Sequence, residues 1–359
     1  MTDQALTILA RGAALDVADP QAAALTVGQA ANRAAAAWAF VDYRGRKSAN
    51  TLRTQDAALD HFAGFLRATG AAVADLDGAA LATSSAAWRG VTWGIVEAWR
   101  VALLQAGYSV GTVNNRLSTI RVYAGLASKA GAIPADELTL LKAVGGYGVT
   151  EGKRIDERRP RARVGPKKAA AVPLSLDQAR RLKSPAGPTG QAARDAFIMA
   201  LLLDHGLRLG ELAGLTVEAL DLDAGMMTFY RPKVDMTQTH RLTAAALTAA
   251  RRYLVERPEG AGPGLWPQGL WVASDRRGQL LPRPMSARAI SKRVALLGLD
   301  VGAPGLSPHD CRHYWASTAV KSGTGVFSLR DAGGWSSVAM PARYVASADI
   351  ANEGVILYQ

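Results

Sequence analysis

The apolar residues of KSANTLRTQDAALDHFAGFLRATG, Leu52, Leu59, Phe62 and Leu66, fall at spacings of 7, 3 and 4 and line one face of a 3.6-residue helix. Ser48, Asn50 and Thr51 just before it offer side-chain oxygens to a first helical turn, and Gly70 follows as a stop. In TVNNRLSTIRVYAGLA the positions Val113, Leu117, Ile120, Ala124 and Ala127 repeat at 4, 3, 4 and 3, which predicts a second amphipathic helix. Trp93 and Trp99 lie on a helical stretch between the two. No segment of 31–144 alternates as a strand does, so this region is predicted to be a small helical bundle, preceded by an Ala-rich extension over 1–30. Beyond residue 174 the pattern mixes types. Helices are expected over 176–182 and 193–203. MMTFYRPKVDMTQTHRLT then alternates as an antiparallel ribbon of two or three strands turning around Pro232 and Lys233. Helices dominate again after Ala244, and no internal repeat is visible. The expected fold class is mainly α with a small antiparallel β-sheet, an α+β chain in which a helical-bundle domain precedes a mixed one.

Between these regions, 145–173 reads as a basic linker. Its stretch EGKRIDERRPRARVGPKK carries eight basic residues, among them Arg158, Arg159, Arg161 and Arg163, against three acidic ones. Two prolines, two glycines and the lack of apolar periodicity point to an exposed segment. A solvated charge run and a contact to backbone phosphate both fit it.

The whole chain decides between those readings only in part. Its 359 residues favour two domains, and 49% hydrophobic against 20% charged residues argues for folded cores over disorder. Lys plus Arg exceed Asp plus Glu by 12, an excess that points to a polyanionic partner, nucleic acid above all. The single cysteine, Cys311, excludes a disulfide framework and a Cys-rich zinc module. Arg11 cuts the apolar stretch of the first residues, so no secretory signal is expected, and the longest clean apolar run, 196–203, is too short to span a bilayer. A soluble, cytoplasmic protein with no membrane partner is the expectation.

Nucleotide and metal signatures fail. GGYGVTEGKR over 145–154 fits neither G-x-x-x-x-G-K-[ST] nor G-x-G-x-x-G. There is no HExxH, and Asp221 and Asp223 sit in LDLDAGMM, which reads as a helix-to-strand turn rather than a magnesium grip. Any phosphate chemistry must then use side-chain cations and protons. Three constellations supply them. In DHGLRLGELAGL, Arg208 opens a helix with Glu211 three residues on, either a surface ion pair or a guanidinium fixed as a fork for phosphate oxygens. In LSPHDCRHYWAS, Ser307, Pro308 and Asp310 spell a helix start that puts His309, Arg312 and His313 in its opening turns. A helix N-terminus there favours an anion, with a buried, satisfied imidazole the alternative for His313. In GGWSSVAMPARYV, Tyr344 follows Trp335 by nine residues, as a packing residue or as a nucleophile activated by nearby cations such as Arg208, Arg312 and Lys233.

Taken in order, Arg-x-x-Glu, a hairpin lysine, His-x-x-Arg and a Gly-Trp followed by Tyr, this chain resembles the tyrosine recombinases of the phage integrase family. The resemblance covers most of the chain. It makes 31–144 the helical core-binding DNA domain and 174–359 the catalytic domain with a C-terminal tail. It implies that Arg208 and Arg312 hold the scissile phosphate, with Glu211 orienting Arg208 and His313 supporting. Lys233 would be the general acid for the 5′-hydroxyl, His309 and Trp335 would complete the phosphate pocket, and Tyr344 would form a 3′-phosphotyrosyl link. Trp335 stands where histidine is commoner; its indole offers one N–H to a phosphate oxygen but cannot shuttle a proton. Lys321 is the competing lysine, on a helix rather than in a hairpin.

The resemblance further implies no cofactor, neither ATP nor a divalent metal. Double-stranded DNA at specific recombination sites would be the partner. The protein would be a monomer when free and a homotetramer on DNA, assisted by an accessory DNA-bending protein and associated with the nucleoid. Two domains would clamp DNA as a C-shape, with the apolar tail over 347–359 docking in cis or in trans. Arg116 and Arg121, on the second bundle helix, are candidate DNA contacts beside the linker arginines. An integrase of a phage or other mobile element is the leading expectation. A catalytically inert DNA-binding protein on the same fold and a type IB topoisomerase-like relaxing enzyme are the alternatives.

Overall fold

The computed structural model describes residues 20–70, 75–159, 171–258 and 269–348. Arg161, Arg163, the first nineteen residues and the tail 349–359 lie outside the described residues. The chain divides into two compact units, 1–167 and 168–359.

The first unit is all helical: α1 (Pro20–Gly45), α2 (Ala49–Ala68), α3 (Gly78–Thr83), α4 (Trp93–Gln105), α5 (Val110–Lys129), α6 (Ala135–Ala143) and α7 (Val149–Arg158). Ser48 caps α2 by accepting from the Thr51 N–H, and Ser109 caps α5 by accepting from Thr112. The predicted stripes face inward: Leu59, Phe62 and Leu66 of α2 and all five named positions of α5 are buried. They close around Trp88 and Trp99, whose indole N–H groups donate to Leu81 O at 2.8 Å and to His61 Nδ1 at 3.1 Å. Pairing those donors lets two large rings be buried without an orphaned N–H.

Two expectations need correction. Helix α1 begins at Pro20 and runs through residue 31, so the expected boundary between residues 30 and 31 falls inside a helix. The stretch expected to be an exposed linker without apolar periodicity contains α7. It carries no apolar stripe and is held instead by polar contacts at its ends. Asn114 donates to Tyr147 O at 2.8 Å and accepts from the Tyr147 N–H at 2.9 Å, while the Glu151 carboxylate accepts from the Gly148 N–H.

The second unit is built on α9 (Gly190–Asp204), nearly every residue of which is buried. Around it lie α8 (Leu176–Lys183), α10 (Leu209–Ala213), α11 (Ala244–Glu256), α12 (Ala287–Asp300), α13 (Pro308–Lys321), α14 (Val326–Gly333) and α15 (Ala339–Ala348). Strands β1 (Leu220–Asp221), β2 (Met226–Arg231) and β3 (Met236–Arg241) form the expected antiparallel ribbon, with Arg231 opposite Met236. The Asp221–Asp223 turn therefore joins two strands, not a helix to a strand; Asp221 Oδ1 accepts from the Ala224 N–H at 2.8 Å. A second hairpin, β4 (Val272–Ser274) and β5 (Leu280–Pro284), lies in the region where helices were expected to dominate. Its turn is organised by Asp275, whose carboxylate accepts from the N–H groups of Arg277 and Gln279.

His205 closes α9. Its Nε2 accepts from the Thr243 N–H, and burial holds its pKa down to about 4, as it does for the neighbouring His240. An unfolded histidine titrates near 6.5, so the folded state binds fewer protons than the unfolded one across this interval. Stability should be full above pH 6.5 and fall as pH drops towards 4, by about 1.4 kcal/mol per pH unit for His205. Urea unfolding at pH 7.0, 6.0 and 5.0 checks this. A His205→Asn variant with an unchanged pH slope would remove His205 as the cause.

Candidate active site

The site grows from the C-terminal end of α14. A helix leaves its last carbonyls without intrahelical partners, and burying them demands donors from elsewhere. Gly334 turns the chain through the left-handed region (φ 57°, ψ 54°), and a Cβ there would meet Arg231 Cδ at 2.5 Å. This turn presents a row of carbonyls to three arginines. Arg231 donates to Ala332 O at 2.7 Å and Gly333 O at 3.2 Å, Arg312 to Gly333 O at 2.6 Å, and Arg208 to Gly334 O at 3.0 Å.

Each arginine comes from a different element. Arg208 is the N-cap residue of α10, where Glu211 receives its guanidinium at 2.7 Å and its backbone N–H at 2.8 Å. The second carboxylate oxygen of Glu211 also accepts from Arg231 at 2.8 Å. Arg231 ends β2, fully buried. Arg312 lies one turn into α13, which begins as the sequence spells it: Asp310 accepts from the Ser307 N–H and hydroxyl at 2.8 and 2.6 Å. Arg312 also donates to Gly206 O. Gly206 has φ +60° and faces the Trp315 ring so closely that a Cβ would lie 2.2 Å from it.

Glu211 is the carboxylate among three guanidiniums: it pairs with Arg208 and Arg231 and acts on Arg312 only through its charge. Burial, then the charges of Arg208 and Arg231, push the Arg312 pKa down to about 9, while Glu211 and Tyr344 act in the opposite sense. Burial likewise lowers Arg231, offset by Glu211. The pocket thus holds more positive charge than it neutralises, with an electrostatic deficit that an anionic oxygen would fill.

An aromatic wall stands beside the cations. The Arg312 guanidinium lies 4.2 Å from the Trp335 ring centroid and 5.7 Å from that of Trp315, and the two indoles stack at 6.0 Å. Tyr344, on α15, is buried with its ring 6.0 Å from Trp335 and 5.3 Å from His313. Burial raises its hydroxyl pKa and Arg312 opposes the rise. His309 and His313 meet at 3.0 Å between their Nε2 atoms, so at least one of the pair is neutral. Burial, then the His313 imidazole, lowers His309; Asp310 counters this, and Arg312 and Lys233 add to it. Lys233, exposed on the β2–β3 turn, is therefore within electrostatic range of His309. Lys321 sits in the last turn of α13, two helical turns beyond His313.

The structure thus gathers Arg208, Glu211, Lys233, His309, Arg312, His313, Trp335 and Tyr344 in one unit. Sequence reasoning missed Arg231 and Trp315. Arg231 was legible as the third inward position of β2 after Met227 and Phe229, at period two. Trp315 lies three residues after Arg312, on the same helix face.

The basic candidates of the first unit divide. Arg159 is engaged within its own unit, donating to Leu104 O at 2.8 Å and Tyr108 O at 3.0 Å. Arg116 stacks on the Tyr108 ring at 4.1 Å, and Arg121 lines a groove with Lys129 and Lys142. Arg158 is exposed.

The family model described as the phage integrase family matches residues 173–350. Tyrosine recombinase XerC of Mycobacterium sp. (strain KMS) is 27% identical over 260 residues, 71% of this chain and 78% of that protein. XerC of Syntrophus aciditrophicus is 29% identical over 157 residues, 43% of this chain, and the match spans about half (49%) of that relative's length. Among solved structures, an integrase of the transposon Tn1549 in complex with transposon right-end DNA aligns with a TM-score of 0.59 at 17% identity, covering 88% of this chain and 96% of the other. A lambda integrase dimer bound to a core site aligns at 0.53 and 12% identity, covering 90% and 95%. These likenesses are of fold.

Removing the shared carboxylate tests the charge arrangement. Glu211→Gln should cost about 3–5 kcal/mol in urea unfolding, since it leaves the buried Arg231 guanidinium, and the half-buried Arg208 beside it, without their counter-charge. A loss below about 1 kcal/mol, the scale of a surface pair, would mean that Glu211 does not hold the cluster.

Proposed function

Because the chain belongs to the phage integrase family of tyrosine recombinases, site-specific DNA recombining enzymes, we propose that Tyr344 is its nucleophile and Arg208 and Arg312 its phosphate clamp. The Tyr344 hydroxyl gives its proton to the neutral imidazole of the His309–His313 pair beside it, and its oxygen attacks a backbone phosphorus to form a 3′-phosphotyrosyl ester. The bond to the 5′ oxygen breaks, and Lys233 supplies the proton that makes it a 5′-hydroxyl. The 5′-hydroxyl of a partner strand then attacks the phosphotyrosine, releasing Tyr344 and sealing the exchanged strand. One phosphodiester is traded for an ester and back, so the bond energy is conserved and no nucleotide hydrolysis enters.

The observation that carries this reading is the excess of positive charge at the buried Arg231 and Arg312 and the half-buried Arg208, beside a buried tyrosine. A pentavalent phosphorane with charged equatorial oxygens is the species such a pocket favours over its ground state. His309 and the Trp335 indole N–H add donors, and Glu211 orients Arg208. Double-stranded DNA is the substrate; the protein is a monomer when free and a homotetramer on DNA, with the first unit adding phosphate contacts through Arg116, Arg121 and Arg158. The enzyme acts at the nucleoid in the cytoplasm and serves a mobile element.

The test is covalent capture. Purified protein is mixed with fragmented DNA from the host and its mobile elements in EDTA, stopped with SDS, and the attached DNA is sequenced, with Tyr344→Phe alongside. The expected result is DNA joined through its 3′ end at one site and absent in Tyr344→Phe. Scattered joins would indicate a relaxing enzyme, and an adduct persisting in Tyr344→Phe would remove Tyr344 as the nucleophile. Salt-sensitive binding with no adduct would indicate an inert DNA-binding protein.

A further inference from the structure

Lys233, the residue that must deliver a proton, is exposed on a turn whose outer strand has no buried residue: β3 shows only exposed and half-buried positions. The buried side chains of the ribbon are those on the inward face of β2, Met227, Phe229 and Arg231. The first two pack into the core as strand residues do. The third, two residues before Lys233, is a fully buried guanidinium with partners on three elements. Its Nη1 meets Glu211 at 2.8 Å and Gly333 O at 3.2 Å, its Nη2 meets Ala332 O at 2.7 Å, and its Nε meets Gln238 Oε1 at 2.5 Å. Gln238, on β3, in turn donates to Asp331 O at 2.6 Å. Both strands of the ribbon are thereby pinned to the same helix end that receives Arg208 and Arg312.

An apolar side chain at 231 would satisfy the inward pattern of β2 but would supply none of these donors, and the ribbon could then pivot about Phe229. A lysine would keep the charge but not the fork, because an ammonium cannot place planar donors on a carboxylate, two carbonyls and an amide at once. Resting on the function proposed above, we propose that Arg231 is a positioning residue that sets the Lys233 ammonium against the leaving 5′ oxygen, by fixing the β2–β3 turn relative to the Arg208–Arg312 clamp.

The test separates positioning of the acid from general damage. A suicide substrate carrying the captured site is made with the ordinary 5′ oxygen and with sulfur in its place. A thiolate leaves without a proton, so a defect confined to the general acid disappears on sulfur. Arg231→Lys should remain folded and bind DNA within about twofold of wild type, since it keeps the charge at 231 and leaves Arg208 and Arg312 with their own partners, Glu211, Gly334 and Gly333. It should form adduct about 100-fold more slowly on the oxygen substrate, the scale of a general acid, and recover to within about fivefold of wild type on the sulfur substrate. Lys233→Ala is the reference for that signature. Equal slowing on both substrates would overturn the proposal and leave Arg231 as a structural or clamp residue. If Arg231→Lys does not fold, Gln238→Ala decides. It removes one strand's anchor and should show the same oxygen-selective defect at about 10-fold; wild-type rates on both substrates would overturn the proposal. If wild type forms no adduct on either substrate, the recombinase reading itself fails, which is a separate result.

Discussion

The end of α14 is where a helix terminus and an active site become the same problem. Buried carbonyls with no intrahelical partner must be satisfied, and guanidiniums satisfy several at once because each carries five donors in a plane. Arg208, Arg231 and Arg312 therefore converge on the stretch from Ala332 to Gly334. The negative end of the helix dipole makes their approach less costly. With one carboxylate among three cations, the helix end also cannot neutralise what it attracts. Stability and chemistry are set by the same contacts here, since the donors that close the fold leave a positive field facing Tyr344.

That arrangement explains why parts distant in the chain must move together. Glu211 joins Arg208 to Arg231, Arg231 joins the Lys233 turn to α14, and Arg312 joins α13 to both α14 and the Gly206 turn. Trp315 and Trp335 cover Arg312 from the aromatic side and exclude water from it, which strengthens each of these interactions. Gly206 and Gly334 allow the close approach: both sit at positive φ, and at both a Cβ would collide with a residue of the cluster or its aromatic wall.

In the first unit the net charge of the chain hides a division of labour. Arg159 serves the local fold by closing carbonyls at the end of α4, while Arg158 next to it is turned outward. Composition alone treats the two alike. Helix α7 is likewise built by end contacts and not by an apolar stripe, which is why its residues read as a linker.

Local pattern was enough for the amphipathic helices α2 and α5, for the start of α13 at Ser307, and for the ribbon, because period and capping chemistry are written into neighbouring residues. The order of Arg208, Lys233, His309, Arg312, Trp335 and Tyr344 stood out as a candidate site for a related reason: each side-chain type suits one task in the phosphate transfer proposed for it. The short β4–β5 hairpin was not legible, since its register depends on one aspartate turn. Nor was the setting of Arg231, whose partners outside the ribbon lie 20 and 101 or 102 residues away in the chain. A buried guanidinium owes its position to acceptors supplied by other elements, and only the tertiary structure brings those acceptors to it.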